Sequence, residues 1–293
     1  TMRDNTLSMD AALADGTRLH FGEVPRDLAQ LNSPDNGLDL FRDMLALGAR
    51  EADEVAARFP KVQRRVGGYN LDALVPGKND INLAHLLVGS EGTLGFSTRI
   101  ELKLAPLLGR RAVGACHFGS FREAMKAAQS IVHLLPIAVE LIDRTMIELA
   151  REIPVFRPTL DKFVRETPEA ILLVEFGEAD QEENLRRLRR LRDMMGDLGF
   201  AFDKSGDKWG GVVEVLSPDL QAAITEVRTS GLNIMMSMKD EGKPVSFVED
   251  CAVPLEHLAD YTSRLTAIFD RHGTRGTWYA HAGSGCLHVR PIL

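Results

Sequence analysis

The sequence predicts an α+β protein in two parts, and three observations carry that prediction. The first hundred residues mix a strand hairpin, short helices and a glycine-rich loop. From Arg110 onward, strand and helix patterns follow one another as strand–helix–strand units with two helices flanking one sheet, which suggests a ferredoxin-like α+β domain elaborated by insertions. Between them "APLLGR" at 105–110 is the best linker candidate, and neither part contains an internal repeat or low-complexity segment.

At the N-terminus Met9, Ala11 and Leu13 alternate with polar or small residues, Asp15-Gly16 supplies hairpin-turn chemistry, and Thr17, Leu19 and Phe21 return along a second strand. A chain that starts inside a hairpin reads as a segment of something longer. Between Pro34 and Pro60, Leu40, Phe41, Met44, Leu45, Val55 and Phe59 fall at helical spacing, and Gly48 is expected to break the stretch into two helices. The glycines and Pro-Gly of "RRVGGYNLDALVPG" mark loops around a short ordered turn. Ile81 to Val88 reads as a short buried helix running into "GSEGTLG"; Thr98, Ile100, Leu102 and Leu104 then alternate with charged residues as a half-buried strand.

In the second part Arg111–Phe118 is a strand, and Ser120 with Glu123 forms a capping box for a helix that turns Phe121, Met125, Ala128 and Val132 inward. "PIAVELID" and "AILLVEFGE" are strands. The following Arg-rich helix keeps Leu185, Leu188, Leu191, Met195 and Leu198 on one face and ends at Gly199. "LQAAITEVR" is a helix, "PVSFVED" a strand, and "LEHLADYTSRLTAIFDRHG" a helix with Leu258, Tyr261, Leu265 and Ile268 inward; "TWYAH" and "LHVRP" are the last strands.

Composition excludes several function classes. The chain has 293 residues, 44% of them hydrophobic and 26% charged, and no apolar run approaches the roughly 18–20 residues of a membrane span. A net charge of -7 argues against affinity built on neutralising nucleic-acid phosphates, so a small-molecule substrate fits better. Cys116, Cys251 and Cys286 form no CxxC pair, so no disulfide framework and no iron–sulfur or Cys-rich zinc site is encoded within the chain, and a reducing cytosol is the default compartment. There is neither a GxSxG elbow nor an HExxH helix.

A few residues could carry chemistry. "GSEGTLG", Gly89 to Gly95, is either a plain turn or a loop whose missing Cβ atoms let backbone N–H groups approach a phosphate or ring. His281 and His288 in "HAGSGCLH" could reach one ion if the turn through Gly283 and Gly285 folds two strands side by side, although catalytic zinc sites need three protein ligands and only two are visible. Cys286 between them reads more simply as a buried thiol. Arg228 could clamp a carboxylate or make a structural salt bridge. His85 and His117 read as core histidines; Glu140 and Asp143 in "VELID" could be functional, with a structural role the more common one. The five arginines at 186–192 read as a solvated face paired with Glu182 and Glu183.

"LSMDAALADGT", "GYNLDAL", "LLVGSEGTLGFSTRIELKLAPL", "VELIDR", "FVEDCAVPLEHL" and "HAGSGCLHVRP" occur in this order, and together they closely resemble the FAD-linked oxidases of the vanillyl-alcohol oxidase (PCMH) type. Within that family the chain is most similar to bacterial D-lactate, glycolate and D-2-hydroxyglutarate dehydrogenases, especially the long members that carry an iron–sulfur region. The resemblance implies the second half of a PCMH-type FAD-binding domain at 1–108, followed by a truncated FAD-linked oxidase C-terminal domain at 109–293. It also implies that Tyr69, Asn70, Gly89, Ser90, Glu91, Gly92, Thr93, Leu94 and Gly95 lie at FAD, that Arg228 holds a substrate carboxylate, and that His281 and His288 are ligands to zinc or another divalent metal. Val248 stands where some relatives have an assisting lysine, so the substrate remains open between D-2-hydroxyglutarate and D-lactate.

By the same resemblance, the glutamate ligand and the acid/base histidine belong to a motif beyond residue 293, and no catalytic residue is assigned within the chain. Electrons would leave through an iron–sulfur region outside it or another acceptor. The expected protein is cytoplasmic or peripheral to the inner membrane, and a homo-oligomer is compatible with it. The alternative is a non-catalytic metal- or anion-binding module of the same fold, and this chain alone is expected to be inactive.

Overall fold

The computed structural model describes residues 1–25, 37–65, 67–77, 81–203, 205–239 and 241–293, which divide into two compact units: Thr1–Lys61 with Arg65–Pro106, and Val62–Arg64 with Leu107–Leu293. Pro34 and Val66, quoted above, lie outside the described residues.

The first unit contains α1 (Met2–Asn5), β1 (Thr6–Ala12), β2 (Arg18–Phe21), β3 (Glu23–Val24), α2 (Leu38–Arg50), α3 (Ala52–Arg58), β4 (Ile81–Asn82), α4 (Ala84–Leu87) and β5 (Phe96–Leu102). The hairpin forms as its alternation requires: β1 and β2 pair antiparallel with Met9 opposite Phe21, and Gly16 takes the left-handed φ of +86° that the turn needs. Helix α2 runs straight through Gly48, and the break falls at Glu51. Gly48 is there because the helix packs on Leu74, where a Cβ would lie 2.0 Å from the carbonyl oxygen. The expected helix at 81–88 divides into β4 and the single turn α4. Strand β5 is an edge strand, and Phe96, Ile100 and Leu102 are exposed, so the half-buried reading fails within this unit.

The second unit contains β6 (Ala112–Phe118), α5 (Phe121–Ile131), β7 (Ala138–Asp143), α6 (Arg144–Glu152), α7 (Arg157–Phe163), β8 (Ala170–Phe176), α8 (Gln181–Asp197), β9 (Phe200–Ala201), β10 (Lys208–Val215), α9 (Pro218–Thr229), α10 (Gly231–Met236), β11 (Val248–Ala252), α11 (Leu258–Arg271), β12 (Gly276–His281) and β13 (Cys286–Pro291). Its eight-stranded sheet has the order β11-β13-β12-β7-β8-β6-β10-β9. The central β7-β8-β6-β10, all antiparallel, is the ferredoxin-like arrangement that the strand–helix–strand pattern suggests. Strands β12, β13 and β11 extend it beyond β7.

Both faces of the central strands are covered, which explains why β6 is buried at all seven positions. One face packs Phe118, Leu141, Leu172 and Val174 against α5, α8 and α11. Facing the other way, Val113, Ile142, Ile171 and Leu173 pack against α6, α7, α9 and α10. Ser120 caps α5, accepting from the Glu123 N–H, but the Glu123 carboxylate pairs with Lys208 at 2.7 Å, so only half of the capping box forms. On α11 Leu258 is buried and Tyr261 and Leu265 pack against the core as expected, whereas Ile268 is exposed and Ala259, Thr262 and Phe269 complete the buried face. The strand expected at "PVSFVED" begins only at Val248 and runs to Ala252. His117 is fully buried as expected, with Nδ1 donating to the Ala115 carbonyl and Nε2 accepting from the Arg165 N–H, but His85 is only half-buried.

Candidate functional site

In the first unit the loop following α4 carries three successive departures into left-handed backbone: Gly89 at φ +79°, Glu91 at +53° and Gly92 at +76°. Left-handed backbone strains a residue with a side chain, so Glu91 marks this as an over-determined loop. Nothing lies within 4 Å of where a Cβ on Gly89 or Gly92 would be, and both glycines are exposed, so main chain is open to approach. Tyr69 and Asn70 meet this loop from 24 and 18 residues away: the Tyr69 hydroxyl is 2.8 Å from Thr93 Oγ1, and Asn70 Nδ2 donates to the His85 and Val88 carbonyls at 3.1 and 2.8 Å. Ser90 is buried beneath, its carbonyl accepting from the Thr93 N–H and hydroxyl. Gly95 differs, because a Cβ there would lie 3.3 Å from the Ala12 carbonyl oxygen, and it immediately precedes β5.

The second unit concentrates polar side chains on one face of the sheet extension. Cross-strand register places Glu140 of β7 opposite His281 of β12, His281 opposite Cys286 of β13, and Cys286 opposite Ala252 of β11. The adjacent row is Ile142, Tyr279 and His288. Since side chains alternate along a strand, Tyr279, His281, Cys286, His288 and Arg290 share one face while Trp278, Ala280, Leu287 and Val289 enter the core behind them. The turn that returns β13 beside β12 ends at Gly285, at φ +69° and with its Cβ position only 2.1 Å from the Val253 carbonyl, so no other residue fits.

Each histidine is oriented by a glutamate. His281 Nδ1 lies 3.0 Å from both Glu140 carboxylate oxygens, which fixes the proton on that nitrogen as donor, and Glu140 also accepts from Arg228 at the end of α9. His288 Nδ1 donates to Glu249 at 2.9 Å, and Arg290 Nε donates to the other oxygen of Glu249 at 2.8 Å. Tyr279 stacks on His288 with ring centroids 4.5 Å apart and planes 15° from parallel. The two imidazoles stand edge to face at 5.5 Å, and Nε2 of each has no partner among the described residues. Imidazoles held at Nδ1 by carboxylates, with Nε2 left over, are what a metal-binding pair requires.

Glu249 reaches His288 through a bulge. Val248 pairs with Val289 but Cys251 pairs with Leu287, so three steps on β11 match two on β13. The surplus is absorbed near Asp250, whose φ is +54°, and it brings Asp250 Oδ1 within 3.4 Å of His288 Nδ1. Burial raises the Cys286 thiol and the Tyr279 hydroxyl above their ordinary pKa values.

Beside this row a cavity of about 240 Å³ runs under α9, lined among others by Arg228, Thr225, Ile224 and Gln221 of one helix face and by Glu140 and Leu173 of the sheet. At its far end Arg111 pairs with Glu175 at 3.2 Å. The sequence singled out Arg228, His281 and His288, and the fold brings all three together. It undervalued Glu140 and missed Glu249, Asp250 and Arg290. One signal was available: Thr277, Tyr279 and His281 alternate with Trp278 and Ala280, and Cys286, His288 and Arg290 with Leu287 and Val289, which marks a strand face that is not core.

The arginines of α8 behave as a solvated face, with Arg186 and Arg187 paired to Glu183 and Arg192 to Glu214. Asp143 is structural: one carboxylate oxygen accepts from the Met146 N–H at the start of α6 and the other from the Trp278 N–H.

The chain is 30% identical over 302 residues to a D-2-hydroxyglutarate dehydrogenase of Pantoea ananatis, covering 99% of this chain and 29% of that protein. A D-lactate dehydrogenase of Archaeoglobus fulgidus is 27% identical over 222 residues, covering 75% of this chain and 44% of that protein. The chain therefore spans under a third of the first relative's length and under half of the second's. Among solved structures, p-cresol methylhydroxylase with substrate bound superposes with a TM-score of 0.54 at 10% identity, over 99% of this chain and 51% of that one, which shows a shared fold. Residues 109–293 match the family model of FAD linked oxidases, C-terminal domain, and by that match the chain belongs to the FAD-linked oxidases.

Proposed function

We propose that the chain is part of a flavin-dependent dehydrogenase that oxidises a D-2-hydroxy acid, D-2-hydroxyglutarate or D-lactate. The observation that supports this most directly is the Arg228–Glu140–His281 cluster with His288 beside a cavity. Such a face offers a guanidinium for a carboxylate and two free imidazole nitrogens for a divalent ion, the two groups a 2-hydroxy acid presents to its enzyme being a carboxylate and an adjacent hydroxyl. In this reading Arg228 keeps Glu140 on one edge and turns remaining N–H donors to the substrate carboxylate. His281 and His288 would hold the ion, zinc or a related metal, through Nε2, where it would polarise the substrate hydroxyl.

Tyr69, Asn70 and the Gly89–Gly95 backbone would hold FAD, and their fit rests on the open left-handed glycines and on the hydrogen bonds that pin the loop to Asn70. Bound there, FAD supplies the acceptor for the hydride from the substrate Cα. Electrons would then pass to an iron–sulfur region or another acceptor beyond this chain. In this reading the protein would work in the cytoplasm or at the periphery of the inner membrane. No helix among the described residues is long and apolar enough to cross a membrane. A non-catalytic metal-binding module would use the same histidines but would give the exposed glycine loop no task.

The test is spectroscopic. The protein as its gene encodes it in full should be yellow, and its flavin absorbance should bleach on addition of D-2-hydroxyglutarate or D-lactate, with Arg228→Met raising the concentration of acid needed. Protein that releases no flavin on denaturation would refute the proposal.

A further inference from the structure

One wall of the cavity beside Arg228 is a single face of α9, because Gln221, Ile224, Thr225 and Arg228 fall at i, i+3, i+4 and i+7. Val113 and Leu173 of the sheet line the opposite wall. Toward the Arg111 end sits Gln221, a polar side chain only 5% exposed. Its Nε2 donates to the Arg111 and Val215 carbonyls, both at 2.9 Å, which uses both N–H bonds and fixes which way the amide faces. Oε1 accepts from no group among the described residues. The buried side-chain atoms sealed off without a partner among those residues are Asp72 Oδ1 and Trp209 Nε1, so Gln221 Oε1 is open to the cavity that the residue lines. A buried amide oxygen left without a partner is costly, so an acceptor held in this way calls for a ligand that donates to it. Thr225 Oγ1 gives its hydrogen to the Gln221 carbonyl at 2.9 Å and likewise offers lone pairs.

We propose that this cavity is a subsite for the uncharged, hydroxyl-bearing tail of a 2-hydroxy acid longer than lactate, with Gln221 Oε1 and Thr225 Oγ1 accepting from the tail hydroxyls. This rests on the reading of Arg228 as the holder of the substrate carboxylate and extends it from the reacting end of the acid to its tail. Size supports it: the cavity measures about 240 Å³, and a water takes up about 30 Å³ in the liquid, so there is room for several heavy atoms where lactate has one methyl group. Charge supports it too. Each arginine of the cavity already has a carboxylate, Arg228 that of Glu140 and Arg111 that of Glu175. A carboxylate on the tail has no proton to give and would lie among acceptors with Glu175 alongside, whereas a hydroxyl donates to Gln221 or Thr225 and accepts from Arg111. Sites built to hydrogen-bond a hydroxyl discriminate strongly against analogues that lack it, because their own polar groups are then left unpaired. An aldonic acid, with a hydroxyl on every tail carbon, has the chemistry that this wall accepts.

The test uses the flavin-loaded protein as its gene encodes it in full and follows the bleaching of flavin absorbance by D-gluconate, D-lactate and D-2-hydroxyglutarate, which share one configuration at C2. In wild type, D-gluconate should half-saturate bleaching at a lower concentration than D-lactate. Thr225→Val, which keeps the side-chain shape, should raise the D-gluconate concentration relative to that of D-lactate by about three- to tenfold, the loss of one hydrogen bond. Gln221→Met should move the same ratio at least as far, and a ratio is blind to any general loss of folded protein. Ala138→Leu, which fills the cavity from β7, should move it by more than about tenfold. A ratio unmoved by all three substitutions, or a loss for D-2-hydroxyglutarate equal to that for D-gluconate, would overturn the inference while bleaching by D-lactate leaves the proposed function standing. Flavin that none of the three acids bleaches would overturn both.

Discussion

Replacing Glu140 gives the sharpest test of the cluster, because one carboxylate there meets two side chains of the candidate site at once. Its side chain is 11% exposed, and it accepts from Arg228 Nη2 and from His281 Nδ1–H. In Glu140→Gln the shape is kept and the charge is lost, so both contacts fall from charge-assisted to neutral strength, about 1 kcal/mol each. Arg228 is 29% exposed and water recovers part of its loss, so the total comes to about 1–2 kcal/mol. For a domain of this size that lowers the melting temperature by about 2–8 °C. Glu140→Ala leaves both donors without an acceptor and should cost more, about 3 kcal/mol. Because His281 also loses its orienting partner, zinc affinity should fall about 10–100-fold in Glu140→Gln. Thermal unfolding by circular dichroism and zinc competition read the two effects, and a cycle with Arg228→Met should give a coupling of about 1 kcal/mol. Unchanged melting temperature and zinc affinity in Glu140→Gln, with zero coupling, would refute the view that Glu140 organises the face.

Further predictions concern residues away from that contact. Burial pushes the Asp143 carboxyl up to about 6, against two N–H donors that favour its ionised form. A carboxyl raised above its unfolded value binds its proton more tightly in the fold, so its contribution to stability is present at low pH and is lost as pH rises from about 4 to about 6. Asp143→Asn should abolish that slope and, since its amide would face an N–H donor, should cost about 1–3 kcal/mol at pH 7; urea titrations of both proteins across this range check it. Gly48→Ala drives a Cβ into the Leu74 carbonyl and should destabilise by at least about 1–3 kcal/mol, whereas Gly196→Ala in α8, where no atom lies within 4 Å, should stabilise by up to about 1 kcal/mol. Asn184, fully buried, accepts from the Glu178 N–H and donates to the Arg110 and Glu178 carbonyls, so Asn184→Leu should cost about 2–3 kcal/mol in chemical denaturation.

The elements that were easy to read had local causes. Helices α5, α6, α8 and α9 begin at Ser120, Asp143, Asp180 and Ser217, each of which accepts a first-turn N–H as its side chain dictates. Gly48 misled because a glycine serves either flexibility or close approach, and the partner that decides, Leu74, is 26 residues away. Strand β5 misled for the opposite reason: its alternation promises a covered face, and within its own unit that face stays exposed. In β11 the bulge at Asp250 shifted the expected strand, since a bulge depends on the partner's register and leaves no period of its own.

By itself the sequence determined that Tyr279 and His281 lie on one face of their strand, that Cys286, His288 and Arg290 lie on one face of theirs, and that a glycine-bearing turn separates the two histidines, because a period of two and a turn depend on neighbours in the chain. Tertiary structure alone decided what meets that face. Glu140 comes from 141 residues before His281, Glu249 from 39 before His288, and Arg228 from a helix laid over the sheet. Such meetings follow from which strands pair so that both sheet faces bury their apolar side chains, a condition on the whole domain that no short stretch of sequence contains.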